Sequence, residues 1–264
     1  MKAKYLSLAS RSMQNSMAYR VSFIVNMSAS VFYILAMFFL WRAIYAHRTS
    51  LAGYSWNDMK AYLLVSFLSS TMLSWYSESR MSSRILDGSV AMELLKPIDF
   101  QAARLAETAG TTVFEGGVSA VLVTIVLIVY AGVMTPHSLT AWIAFILSFG
   151  VSVLIKFGVV YISSLFCFWT SSGFGVAWAR AAITNLLSGA LVPLAFFPPW
   201  LRAVAYLLPF QGIVNAPASI YLGQATGIAL WNTLLVQVFW CVVLWFLGRF
   251  VWRFAVRKVT IFGG

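Results

Sequence analysis

The sequence has very little charge for its length. Charged residues make up 9% of the 264 positions, and only seven residues are acidic. A soluble globular domain has about 25% charged residues, so the composition excludes a soluble fold. Hydrophobic side chains account for 61% of the chain, and we therefore expect it to lie in a lipid bilayer.

Residues that support catalysis or metal binding are also scarce. The two cysteines, Cys167 and Cys241, lie in separate apolar runs without CxxC spacing, which indicates buried apolar side chains and not a redox or metal site. The two histidines, His47 and His137, are isolated in loops, and no Ser/His/Asp set or H-E-x-x-H motif is present. We expect neither a catalytic site nor a metal site.

The sequence contains no phosphate-binding loop of the form G-x-x-x-x-G-K-S/T. The chain is therefore not expected to bind or hydrolyse ATP by itself, and we expect no cofactor of its own. Its net charge of +11 does not indicate nucleic-acid binding, because the basic residues flank apolar runs and form no contiguous patch.

Long uncharged runs alternate with short polar segments, as in a polytopic membrane protein whose helices each need about 20 apolar residues. We predict an all-α protein with a single transmembrane domain over residues 1–264 and six transmembrane helices. The segments "MTPHS" (134–138) and "TSSGFG" (170–175) divide runs that are too long for one helix. The six predicted spans are residues 21–45, 59–77, 103–133, 139–169, 176–197 and 228–250.

Residues 1–20 precede the first predicted span and mix apolar with polar side chains. The apolar ones recur at helical spacing, which is typical of a helix lying in the membrane interface. They are Tyr5, Leu8 or Ala9, Met13 and Met17. A frayed tail is the alternative.

Residues 198–227 are apolar but rich in helix-breaking residues, which exclude one clean spanning helix. The breakers are Pro198, Pro199, Pro209, Pro217, Gly212, Gly223 and Gly227. We predict two short helices that enter the membrane from the outer side and return. Irregular backbone at that depth is tolerated only inside protein or beside a wet cavity, which predicts a functional mouth in this re-entrant segment.

The basic residues indicate how the chain is oriented. With six spans, both termini, the loop after the second span and Arg180 share one side of the membrane. That side then holds thirteen Lys and Arg residues, against four on the other. Short loops rich in Lys and Arg stay in the cytoplasm, so we expect both termini and residues 78–101 to be cytoplasmic.

Six of the seven acidic residues lie in the window 78–115. Within it we predict a short amphipathic helix from Gly88 to Lys96, with Asp87 as its N-cap and Pro97 as its terminator. Its apolar side is formed by Val90, Ala91, Leu94 and Leu95, and its charged side by Glu93 and Lys96. Such a helix can dock a cytoplasmic partner, and a solvated connector is the alternative.

The stretch "DGSVAMELLKPIDF" (87–100) resembles the cytoplasmic coupling-helix segment of ABC-2-type permeases, which are membrane subunits of ATP-binding-cassette exporters. In that family a glycine, a short acidic and apolar helix, and a Leu-Leu-x-Pro-type ending recur after the second span. The order of interfacial helix, six spans and re-entrant pair is also similar, so the resemblance covers nearly the whole chain. Within the family, the chain looks most like the branch that includes viologen exporters.

The resemblance implies a permease in the bacterial cytoplasmic membrane that exports a hydrophobic or amphipathic compound, with cationic compounds among the candidates. It implies two ABC ATPase subunits, which bind ATP and Mg²⁺, and a second permease, either identical or a sister chain. The implied coupling residues are Asp87, Gly88, Glu93, Leu94, Leu95, Lys96 and Pro97. An ATP-independent transporter or channel is the alternative function.

Glu115 and Lys156 are charged residues within or beside apolar spans. They lie 21 and 20 residues from Pro136 in the predicted turn, so two antiparallel helices would place them at nearly equal depth. We predict an intramembrane ion pair, because an unpaired charge in the hydrocarbon is unfavourable. Separate extension of each side chain to the interface is the alternative.

Aromatic and polar residues in the second half of the chain are candidates for a gate or a transport pathway. They are Asn185, Phe196, Phe197, Trp200, Phe210, Gln211 and Asn215. For the aromatic residues, anchoring at the membrane interface is the alternative. For the polar residues, and for Gln237, hydrogen bonding between helices is the alternative to lining the pathway.

Overall fold

The computed structural model describes residues 2–18, 20–72, 75–131, 136, 138–170 and 172–258. Within them the regular secondary structure is helical apart from one small hairpin, with β1 (Ser50–Leu51) antiparallel to β2 (Tyr54–Ser55). The helices before the fourth predicted span are α1 (Lys2–Ala18), α2 (Arg20–Tyr45), α3 (Trp56–Thr71), α4 (Trp75–Leu86), α5 (Val90–Leu94), α6 (Phe100–Thr111) and α7 (Gly117–Ala131). Those that follow are α8 (Leu139–Leu165), α9 (Gly173–Leu187), α10 (Pro199–Leu207), α11 (Asn215–Tyr221) and α12 (Gly227–Ala255).

The all-α polytopic fold is confirmed. Among the described residues, four helical stretches are long and apolar enough to cross a membrane, namely Met27–Tyr45, Phe100–Tyr130, Leu139–Phe168 and Gly227–Lys258. The second and fifth predicted spans correspond to α3 and α9, which have 16 and 15 residues. At about 1.5 Å per residue each covers about 24 Å or less, so length and composition support four of the six predicted spans.

The third predicted span contains a π turn. Helices α6 and α7 are joined by Thr112–Gly116, a five-residue π-helical turn, and the stretch continues as one helix from Phe100 to Tyr130. Such turns insert an extra residue and locally change the direction of side chains. The predicted break "MTPHS" after this span lies outside the described residues, except for Pro136 and Ser138. The hydroxyl of Ser138 accepts a hydrogen bond from the Ala141 amide and caps α8.

Helices α8 and α12 form the centre of the fold. Gly158 of α8 lies against Leu244 of α12, where even a methyl group would come within 3 Å of the leucine side chain. Gln237 of α12 is fully buried and donates to the carbonyl of Gly212 (2.7 Å) while accepting from the hydroxyl of Ser148 (2.8 Å). Hydrogen bonding between packed segments therefore explains why a polar residue, Gln237, lies in an apolar helix.

The hairpin and the α4–α6 connection (residues 87–99) lie at opposite ends of the molecule. The Tyr54 hydroxyl of the hairpin donates to the Gln224 side chain (3.0 Å), three residues before α12 begins. Near the other end of α12, Trp252 stacks on Phe100, with ring centroids 4.1 Å apart. The 29 residues of α12 extend about 43 Å, which separates the hairpin end from the connection end by more than a hydrocarbon core.

Helix α1 lies along α6 and crosses it closely. Gly110 of α6 allows this, because a Cβ there would overlap the backbone of Ala9. Ser12 and Ser16 are buried, whereas Leu6 is 71% exposed. A small, hydroxyl-bearing face thus packs against the protein, and the predicted position of α1 in the membrane interface stays a prediction.

The re-entrant segment contains two short helices, α10 and α11, as the breakers predict. Pro199 begins α10, where its fixed φ suits the first turn. Helix α11 is deeply buried against α3 and α8, and Ala216, Ala218 and Ile220 are at most 1% exposed. The depth of this segment in the membrane stays a prediction.

Candidate functional site

The α4–α6 connection is a compact loop around a single short helix. Gly88 adopts φ +75°, a conformation open to glycine and strained for other residues. Helix α5 covers only Val90–Leu94, so the predicted helix from Gly88 to Lys96 is too long. Two features shorten it: the left-handed turn at Gly88 precedes it, and a bend before Pro97 follows it.

The predicted N-cap role of Asp87 is wrong. The N-cap position of α5 is Ser89, and its side chain makes no capping hydrogen bond. The Asp87 carboxylate accepts instead from the amide of Ser89 (2.9 Å), two residues on, which is an Asx turn. Asp99 is the effective cap in this region, since its carboxylate accepts from the Ala102 amide (2.8 Å) at the start of α6.

Four charged side chains from three elements form what we call the ion network: Arg84, Glu93, Arg104 and Glu107. The Arg84 guanidinium contacts Glu93 and Glu107, each at 3.0 Å. Arg104 contacts the same two carboxylates, each at 2.9 Å. Two positive and two negative groups therefore alternate in a closed ring that joins α4, α5 and α6.

Glu93 points inward into this ring. Its side chain is only 15% exposed, so the prediction that Glu93 presents charge to a partner is wrong. The reason is tertiary, because Arg84 and Arg104 approach from two other helices. Burial raises the pKa of the Glu93 carboxyl, although Arg84 opposes this shift.

The outward face of the connection is apolar. Met92 is 68% exposed and Leu95 is 78% exposed, while Val90 on the opposite side is buried. Lys96 and Pro97 are exposed beside them. We call Met92, Leu94, Leu95, Lys96 and Pro97 the apolar tip. An apolar patch held out from the protein in this way is typical of an interaction surface.

The base of the connection is attached to α12. The Asp99 carboxylate contacts the Arg249 guanidinium at 3.3 Å. The side-chain amide of Gln101 donates to the Trp245 carbonyl (3.1 Å). On the other side, the Asp99 amide donates to the Tyr5 hydroxyl of α1 (3.3 Å). A displacement of the connection would thus reach α1, α6 and α12 directly.

Glu115 and Lys156, the residues of the predicted ion pair, are both buried. Lys156 donates to the Ser70 carbonyl (2.8 Å), and Glu115 lies in the π turn. The ion pair between them stays a prediction.

Arg180, which the orientation count assigned to the cytoplasmic side, lies within the fifth predicted span. It is 8% exposed and sits in the middle of α9. Together with Lys156 it lines a cleft of about 200 Å³ between α3, α8, α9 and the re-entrant segment. Asn185, one of the predicted pathway residues, lines the same cleft. We call it the basic cleft.

The other predicted gate and pathway residues are scattered. Phe196 stacks on Trp41 of α2 (ring centroids 5.6 Å apart) at the hairpin end, and Trp200 is 69% exposed. Phe197 and Phe210 are half-buried, and Gln211 and Asn215 are buried in the re-entrant segment. Their role in a pathway stays a prediction.

Sequence reasoning missed three members of the ion network, namely Arg84, Arg104 and Glu107. One signal was available, because Arg104 and Glu107 are three residues apart and face the same side of a helix. The spacing of Arg84 from the others gives no such signal. Sequence reasoning also missed the polar residues that surround Lys156 and Arg180.

The fold, with its apolar spanning helices, defines a multi-pass membrane protein. A family model described as ABC-2 family transporter protein matches residues 31–263, and the chain belongs to this family. The match confirms the resemblance seen in residues 87–100, but it does not single out the viologen-exporter branch. Comparison with curated proteins gave no match.

Proposed function

We propose that the chain is the membrane-spanning permease subunit of an ATP-binding-cassette exporter in the bacterial cytoplasmic membrane. It moves a hydrophobic or amphipathic compound out of the cytoplasm, and a separate ABC ATPase hydrolyses the ATP. The observation that carries this proposal is the apolar tip, in which Met92 and Leu95 are more than two-thirds exposed on a connection held by the ion network. Membership of the ABC-2 family supports it.

The charges favour a cytoplasmic location for the connection. Arg84, Lys96 and Arg104 lie in or beside it. Arg249 and Arg253 of α12, and Arg257 just after that helix, share its end of the molecule. Short segments rich in Lys and Arg stay in the cytoplasm. Both termini are then cytoplasmic, and the hairpin and the re-entrant segment face outward.

The tip and the ion network have different tasks in this mechanism. The tip provides apolar contact area for a groove in the ATPase, and Lys96 adds a charge for partner recognition. The ion network makes the connection follow rigid-body movement of the ATPase, because Glu93 of α5 is bound to arginines of both α4 and α6. Leu86 at the end of α4 packs against Gly173 at the start of α9, so the movement reaches a wall of the basic cleft.

The complete transporter contains two permeases and two ATPase subunits. ATP and Mg²⁺ bind to the ATPases, which this chain does not replace, since its sequence has no phosphate-binding loop. The second permease is a copy of this chain or a sister chain. Closure of the ATPase pair on ATP would move both connections and open the path between the permeases outward.

Gentle purification of the tagged permease in mild detergent, with mass spectrometry of what co-elutes, tests the proposal. We expect an ABC ATPase to co-elute with the unchanged chain. The double variant Met92→Asp/Leu95→Asp should lower its recovery about tenfold or more, because two carboxylates would be buried without partners in an apolar contact. The matched control is Leu6→Asp, which places the same group at a residue of similar exposure on α1.

Three results would contradict the proposal. One is that no ATPase co-elutes. Another is that Leu6→Asp and the tip variant lower its recovery equally. The third is transport by the purified chain in sealed vesicles without nucleotide, which would identify an ATP-independent transporter or channel.

A further inference from the structure

The basic cleft places two cations together in the apolar part of the molecule. Lys156 on α8 and Arg180 on α9 line it, and each is only 8% exposed. Lys156 is nine residues before the end of α8, and Arg180 is seven residues after the start of α9. Both ends lie near α4 at the connection end. At about 1.5 Å per residue the two cations are about 13 Å and about 10 Å from that end, and so at similar depth.

Two hydroxyl groups in the same cleft are buried without a hydrogen-bond partner among the described residues. They belong to Ser69 of α3, which is 2% exposed, and Thr184 of α9, which is 6% exposed. Buried polar groups are almost always satisfied. Two such hydroxyls beside two cations offer donors from which a ligand in the cleft can accept.

We propose that the basic cleft binds the oxyanion group of an amphipathic cargo, a carboxylate, phosphate or sulfate attached to an apolar body. Ammonium and guanidinium groups form their strongest hydrogen bonds with such oxyanions, and hydroxyls complete the donor set. Cations inside membrane spans commonly mark a substrate route. The inference rests on the proposed function, because it places the cleft on the export path.

Both cations have protein partners in this structure, and for Lys156 these include the Ser70 carbonyl. This does not prevent anion binding, because an ammonium has three donors and a guanidinium has five. An oxyanion between them adds to the existing bonds. The same positive charges disfavour a cationic cargo, which separates this inference from the viologen-like compounds that the sequence resemblance implies.

The rest of the cleft lining indicates an amphipathic cargo and not a free ion. Ile213 and Val214 of the re-entrant segment contribute apolar surface. The amide of Asn215 donates to the Ser188 carbonyl (3.1 Å), which ties that segment to the end of α9. The cleft therefore lies on the inner side of the re-entrant segment, and separation of this segment from α9 would open the cleft outward.

Ligand binding to the full-length permease in nanodiscs of neutral phosphatidylcholine tests the inference. The probes are dodecyl phosphate, inorganic phosphate and dodecyltrimethylammonium, and isothermal titration gives the affinities. We expect dodecyl phosphate to bind more tightly than either other probe. Arg180→Gln and Thr184→Val should each weaken it, the former by about tenfold or more because it removes a charged donor.

The matched control is Arg253→Gln, which removes one exposed arginine from α12 and should leave the affinity unchanged. Thr184→Val keeps the shape of the side chain, so it remains informative if Arg180→Gln fails to fold. Equal affinity for dodecyl phosphate and dodecyltrimethylammonium would overturn the inference, and so would unchanged affinity in Thr184→Val. If inorganic phosphate binds as tightly as dodecyl phosphate, the inference that the cargo is amphipathic is wrong.

These measurements need neither ATPase nor nucleotide, so the two proposals fail separately. If an ATPase co-elutes but the permease binds no dodecyl phosphate, only the proposed anion site is wrong. If the cleft binds the anion but no ATPase co-elutes, only the proposed ABC exporter function is wrong.

Discussion

The ion network and the basic cleft both bury charged side chains, but they differ in the charges that their described residues bring together. In the network, two arginines alternate with two glutamates at 2.9–3.0 Å. The cleft has two cations and, among its described lining residues, no carboxylate, and both cations also contact protein groups. A cluster whose charges pair with one another stabilises the fold, whereas a buried hydroxyl without a partner in the protein is available to a ligand. Changes in the ion network should therefore lower stability. Removal of an unpartnered hydroxyl in the basic cleft should instead raise stability and weaken ligand binding.

We expect the largest loss of stability from Arg104→Met. Arg104 is the most buried member of the ion network, and its removal leaves two carboxylates that share Arg84. Removal of one partner from a buried ion pair destabilises by about 3–5 kcal/mol, and the lower value applies here because Arg84 remains. Thermal unfolding of the purified protein in detergent measures the loss.

Arg253→Met is the control for this change, because it removes an exposed arginine from α12. A second arm combines Arg104→Met with Glu93→Gln, which removes the one excess negative charge and should recover part of the stability. If Arg104→Met unfolds at the same temperature as Arg253→Met, the ion network is not what holds the connection.

A smaller loss should follow from Gly110→Ala. Helix α1 covers the ion network, since Ser12 lies with Arg84, Arg104 and Glu107 around one small cavity. A methyl group at position 110 overlaps the backbone of Ala9, so α1 must move away and admit water. Overpacking of this kind destabilises by about 1–3 kcal/mol.

Gly117→Ala provides the comparison for Gly110→Ala, since open space surrounds position 117. Both changes bring the same gain in helix propensity, about 0.5–1 kcal/mol. The difference in stability between the two variants therefore measures the effect of the contact with α1. Limited proteolysis should cut α1 faster in Gly110→Ala alone. Equal cutting of both variants would show that α1 does not depend on this crossing.

The spans and the connection could be read from the sequence because their signals are local. The bilayer sets the length of the apolar runs. Gly88 permits a left-handed backbone, and Pro97 restricts its own φ and the residue before it, whatever surrounds them. The two short helices of the re-entrant segment follow from its prolines in the same way. Sequence therefore predicts that these helices exist better than it predicts their ends, as α5 shows, or what their side chains contact.

The contacts that sequence reasoning got wrong depend on the direction of a side chain. Glu93 lies between the two faces of α5, and only the approach of Arg84 and Arg104 decides that it turns inward. Depth alone does not fix rotation about a helix axis, and the π turn at Thr112–Gly116 changes that rotation, so the pairing of Glu115 with Lys156 stays a prediction. Arg180 was counted with the exposed basic residues of one side because such counting takes no account of burial.

We expect Thr184→Val to raise stability, in contrast to the changes in the ion network. The Thr184 hydroxyl is buried without a partner among the described residues, and an apolar group of the same shape removes that unfavourable burial. The gain should be about 1 kcal/mol, measured as a higher unfolding temperature. Thr233→Val is the control, because the Thr233 hydroxyl already donates to the Ala229 carbonyl (2.8 Å). A loss of stability in Thr184→Val would mean that the hydroxyl has a structural role.

The smallest effect should come from Asp99→Asn, which tests whether burial decides the strength of a charge pair at the connection end. Asp99 and Arg249 are 43% and 47% exposed, so solvent and salt screen their attraction to about 0.5 kcal/mol or less. Asparagine keeps the cap on the Ala102 amide, whereas Asp99→Ala loses it and should cost about 1 kcal/mol more. Unfolding at low and high salt separates the two contributions, because only the ion pair is screened. If Asp99→Asn destabilises as much as Arg104→Met, exposure does not distinguish these pairs, and the ion network has no special part in holding the connection.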